Sequence, residues 1–88
     1  MLVGGIVTHR QRPPSAGGVT FISLEDETGL INIIVPQTVW ALHRRVARDS
    51  GALLIRGTVE QAHDVVNVMA ERIQRLPLSA RTVSRDFR

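Results

Sequence analysis

An all-β chain with one helix, closed into a five-stranded barrel, is the fold class this sequence predicts. Three observations lead there. Five segments carry the alternating or continuous apolar pattern of strands. A single segment, 36–49, repeats apolar residues at helical spacing, and it falls between the third and fourth strands. The order β-β-β-α-β-β within 88 residues is that of the OB-fold. Closing such a sheet removes its exposed edges, and the helix plugs one end.

The central stretch is VTFISLEDETGLINIIV, from Val19 to Val35. Val19–Glu25 alternates, and Leu30–Val35 is apolar apart from Asn32. Asp26, Glu27, Thr28 and Gly29 form the turn between them: the Asp carboxylate accepts local backbone hydrogen bonds, and Gly29 tolerates a positive φ. Alternation puts Ile22, Leu24, Ile31, Ile33 and Val35 in the core. It leaves Phe21, Ser23 and Asn32 on the outer face, with the ring and the amide side by side on neighbouring strands.

Leu2–Gln11 reads as the first strand, with Gly5 and Val7 inward and Thr8, Arg10 and Arg12 outward. The adjacent Gly4 and Gly5 mark a bend or bulge. RPPSAGG, residues 12–18, is a loop. In the helix, Pro36 suits the first turn, and Val39, Leu42, His43 and Val46 recur with Trp40 and Ala47 alongside. Arg44, Arg45 and Arg48 stand near its C-terminus, and Gly51 is placed for a left-handed cap. Ala52–Glu60 is the fourth strand, with Leu53, Ile55, Gly57 and Val59 on one face and Arg56 and Thr58 on the other. Val65–Ile73 is the fifth, and both of its parities carry apolar residues. One domain, 1–76, is expected, followed by a basic, weakly ordered tail, 77–88.

The charge is unevenly placed. Residues 1–73 hold seven arginines and seven acids, so the net charge of +3 comes from Arg75, Arg81, Arg85 and Arg88 against Asp86. Any electrostatic footprint on the barrel must therefore come from where its arginines cluster. The absence of cysteine excludes disulfides and thiolate metal sites. His9, His43 and His63 lie on three separate elements without ligand spacing, and Glu25, Asp26 and Glu27 read as a solvated turn. No nucleophile context surrounds any serine. A binding module without catalytic residues, metal or cofactor is expected. No apolar run approaches a membrane span and no secretory signal is visible, so a cytoplasmic location is the default expectation.

An outward aromatic beside an outward amide suits single-stranded nucleic acid: the ring stacks one base and the amide hydrogen-bonds another. Phe21, Asn32 and Ser23 are the candidate base contacts, and Arg10, Arg12 and Arg56 the candidate phosphate contacts. Residues 10–18 and 61–64 would flank them. The competing reading pairs those arginines with Glu25, Glu60 or Glu71 across the sheet, contacts worth little when exposed. Trp40 is expected to pack against the barrel end. Arg81, Arg85 and Arg88 form either a phosphate-binding arm or a solubilising tail.

GGIVTHRQRP, FISLEDETGLINIIV, ALLIRGTVE, VVNVMAERIQRL and the closing SRDFR together resemble the C-terminal end of the error-prone bacterial C-family DNA polymerases, relatives of the polymerase III α-subunit. The resemblance covers nearly the whole chain. It implies an OB domain meeting single-stranded template DNA, in a polymerase of damage-induced (SOS) translesion synthesis and repair. It also implies the polymerase body, a catalytically reduced Y-family-like accessory protein and the sliding clamp as partners. The metal-binding carboxylates of the polymerase palm have no counterpart in these 88 residues. FISLEDETGLIN is also similar to the anticodon-binding OB domain of aspartyl-type class II tRNA synthetases, in which the aromatic matching Phe21 stacks on an anticodon base. That family usually carries Gln where this chain has Asn32. Two alternatives to DNA binding follow: an RNA-binding domain of that type, and a module that docks polymerase segments or a partner protein.

Overall fold

The computed structural model describes residues 1–14, 17–62 and 65–77. The elements run β1 (Leu2–Gln11), β2 (Thr20–Asp26), β3 (Gly29–Val35), α1 (Gln37–Asp49), β4 (Ala52–Ala62) and β5 (Val65–Arg75). The strands close into a barrel in the spatial order β1-β2-β3-β5-β4. All pairings are antiparallel except β3 with β5, which run parallel. This is the OB-fold barrel the element order predicts. The tail beyond Pro77 and residues 63–64 lie outside the described residues.

The hairpin forms as its sequence dictates. Asp26 Oδ1 accepts the amides of Thr28 (2.8 Å) and Gly29 (3.2 Å) and the Thr28 hydroxyl (2.7 Å). Gly29 has φ 130°, open only to a residue without a Cβ. Ile22, Leu24, Ile31, Ile33 and Val35 are all buried. Leu53, Ile55, Val68, Ala70 and Ile73 join them from β4 and β5, and Trp40 and Ala47 of α1 enter the same cluster.

Two bulges set the facing of the other strands. In β1 the register slips between Val7 and His9, so Arg10 stands opposite Ile22. Strict alternation puts Arg10 outward with Thr8; the extra residue reverses that parity. The bulge thus lies at Thr8 and not at the glycines. Gly5 is instead buried where β1 passes from β4 to β2, and Ile6 pairs with both Ala52 and Glu25. In β5, Arg56 pairs with Arg72 while Gly57 pairs with Ala70, which leaves Glu71 as the extra residue. Val66, Val68 and Ala70 face inward before the bulge, and Ile73 does so after it. That is why both parities of β5 carry apolar residues.

The helix differs from expectation at two points. Leu42 is 81% exposed and lies outside the buried face made by Val39, Trp40, Val46 and Ala47. The helix also ends without a left-handed cap: Ser50 has φ −90° and ψ 140°, and its amide donates to the Val46 carbonyl. Arg10 supplies the cap instead. Its Nε donates to the Ala47 carbonyl at 2.7 Å, and its Nη2 donates to that of Ser50.

Candidate nucleic-acid interface

The outer face of β2, β3 and β5 is the surface on which the predicted base contacts stand. Phe21 is 38% exposed and lies opposite Ile34, which lies beside Met69 of β5. Ser23 lies opposite Asn32, which lies beside Asn67. An apolar row, Phe21–Ile34–Met69, thus runs next to a polar row, Ser23–Asn32–Asn67, of one hydroxyl and two amides. Phe21 and Asn32 occupy diagonal positions, and not the directly opposed ones expected for neighbours. Strands spaced about 4.8 Å apart put roughly 10 Å of continuous apolar surface from the ring to Met69.

Alternation within the hairpin located Phe21, Ser23 and Asn32. Ile34, Asn67 and Met69 were missed. Ile34 follows the parity of Asn32, so the same rule reaches it. Asn67 and Met69 belong to β5, whose facing the bulge obscures. Their place beside β3 follows from the parallel pairing, which is a property of the barrel and not of any local motif.

The structure separates the three predicted phosphate contacts. Arg10 is engaged with the α1 carbonyls. The Arg12 guanidinium lies over the Trp40 ring, 5.9 Å from its centroid, where the π-face attracts a cation. Trp40 packs into the barrel end, as expected. Arg56 stands on β4 between Leu2 and Arg72, off the β2–β3 face. None of these arginines pairs with Glu25, Glu60 or Glu71; among the described residues the ion pair is Arg48 with Asp49, at 3.0 Å. No group of three or more metal-ligating side chains occurs among the described residues.

Two carboxylates are held in their charged form by local hydrogen bonds. The Thr28 hydroxyl, with the Thr28 and Gly29 amides, holds Asp26 below the usual carboxylate range. The Arg48 hydrogen bond does the same for Asp49. No described helix is long and apolar enough to cross a membrane.

Across all 88 residues the chain is 54% identical to the error-prone DNA polymerase of Mycobacterium tuberculosis (strain ATCC 25618 / H37Rv). It is 56% identical over 87 residues to that of Cutibacterium acnes and 48% identical over 88 residues to that of Corynebacterium glutamicum. The chain is homologous to one segment of the error-prone DNA polymerases. It spans about 8% of the length of these polymerases. No family model matches it. Among solved structures, the chain resembles the asparaginyl-tRNA synthetase of Pyrococcus horikoshii complexed with asparaginyl-adenylate. That match has a TM-score of 0.64 and 20% identity, over 85% of this chain and 18% of that one. It also resembles the S. pombe Stn1–Ten1 complex, with a TM-score of 0.73 and 11% identity, over 99% of this chain and 65% of that one. At these identities the likeness is one of fold.

Proposed function

We propose that this domain holds single-stranded nucleic acid, in the first place template DNA, on the outer face of β2, β3 and β5, as a non-catalytic part of an error-prone DNA polymerase engaged in translesion synthesis. The observation that carries this reading is the outward stance of Phe21 within an apolar row that borders a polar row of Ser23, Asn32 and Asn67. Bases stack on Phe21 and lie along Ile34 and Met69, while Asn32, Asn67 and Ser23 hydrogen-bond their edges. Stacking surfaces serve both sugars, so RNA competes.

Fluorescence anisotropy with a labelled single strand tests it. A stacked base is worth about 1–3 kcal/mol, so Phe21→Ala is expected to weaken binding roughly five- to 150-fold. Unchanged affinity with an intact fold sinks the reading.

A docking role is favoured by one observation: Arg10 and Arg12 are engaged inside the domain, which leaves fewer cations free on a body of zero net charge. Retention of the remaining polymerase segments, without any retention of oligonucleotide, selects that role.

A further inference from the structure

We propose that Arg56 and Arg72 form a phosphate clamp on β4 and β5 that grips the backbone of a single strand where it leaves the Phe21 row. The inference rests on the binding face proposed above and adds a residue, Arg72, and a path. The two arginines are directly paired across antiparallel strands. Like charges in that position repel and weaken the pair unless an anion sits between them. No carboxylate among the described residues does so. Glu71 is adjacent in sequence, but its Oε2 accepts the Thr58 hydroxyl at 3.1 Å.

The bulge is what creates the pair. Val68 and Ala70 face inward, so unbroken alternation would bury Arg72. Glu71, the extra residue, turns Arg72 outward beside Arg56 and restores Ile73 to the core. Bulges re-aim side chains in this way next to functional sites. The two arginines line a groove of about 230 Å³ with Leu2, Leu54 and Gln74. Planar guanidinium forks suit phosphate oxygens, which accept two parallel hydrogen bonds from each.

Position selects a nucleic-acid backbone over an acidic protein segment. Thr58 pairs with Met69 at the end of the apolar row, and Arg56 lies two residues further along β4, about 7 Å away. A strand lying over Phe21, Ile34 and Met69 reaches the arginines without leaving the sheet surface.

The test compares two labelled strands of about twelve residues, oligothymidine and an abasic sugar–phosphate chain, titrated from about 25 to about 200 mM salt. The abasic strand offers phosphates without bases. Arg56→Gln/Arg72→Gln is expected to lower the log–log salt slope by about 1.4 for both strands, and the Arg56→Lys/Arg72→Lys variant to restore it. Phe21→Ala is expected to weaken the oligothymidine and leave the abasic strand unchanged. A slope unaltered by the double Gln variant overturns the clamp, whatever Phe21→Ala does. Lost binding of a glutamate-rich peptide, with both strands unaffected, assigns the pair to a carboxylate partner and also overturns it. A slope change without any effect of Phe21→Ala leaves the clamp standing and removes the stacking platform.

Discussion

The Arg10 guanidinium donates to carbonyls at the C-terminal end of α1, where the last turn has no amides to offer them and where the helix dipole favours a cation. Hydrogen bonds from a charged donor are worth about 1.5–3 kcal/mol, and this part-buried pair belongs at the lower end of that range. Arg10→Gln is therefore expected to lower the thermal midpoint by roughly 5–10 °C while leaving the salt dependence of strand binding as it was. A changed salt slope with no loss of stability would return Arg10 to the phosphate contacts. Asp26 carries a different signature. Its carboxyl is held below the usual value in the fold, so its contribution to stability is complete above the unfolded value of about 3.9 and is lost as pH falls through the folded one. Asp26→Asn mimics the protonated form. Thermal midpoints of the two proteins should differ at neutral pH and converge as pH falls below the usual carboxylate range; a gap that does not narrow on acidification contradicts the assignment.

At the scale of elements, the facing of the β2–β3 hairpin was legible, because strict alternation, one Asx turn and one glycine fix it; its register, which puts Phe21 opposite Ile34 and not Asn32, was not. The inner faces of β4 were legible for the same reason. The outward face of β5 was not. A bulge carries no composition of its own, and Glu71 reads like any exposed strand residue until its partners are known. The end of α1 was misread because Gly51 offers a local cap while the true one comes from Arg10, some forty positions away in sequence. Gly57 shows what the second bulge demands. A Cβ at Gly57 would sit 2.1 Å from the Met69 carbonyl oxygen and 3.0 Å from Val68 Cγ1. The backbone of β5 cannot retreat without parting from β4. Gly57→Ala is expected to cost about 1–3 kcal/mol, read as a lower denaturant midpoint. An unchanged midpoint would mean that β5 yields at Met69 without loss of its pairing with β4.

On the scale of the whole molecule, the fold class and the core positions of β2, β3 and β4 followed from pattern alone, while those of β5 and the site did so only in part. Residues on one hairpin can be assigned a common face from sequence. Residues brought together by barrel closure, such as Asn32 with Asn67 or Arg56 with Arg72, meet through register that no short stretch encodes. The neutral charge of residues 1–73 also proved less informative than the use of each arginine: one caps a helix, one covers an indole, and two face each other across a groove.

Sharing β1 between β2 and β4 imposes a schedule on the nascent chain. Residues 1–35 contain both partners of the β2–β3 hairpin, and the C-terminal half of β1 can zip onto β2 as soon as it emerges. Leu2–Ile6 must wait for Ala52–Arg56, and the free side of β3 must wait for Asn67–Met69. A polypeptide released from the ribosome before residue 52 therefore displays two bare strand edges, which recruit other chains into intermolecular sheets.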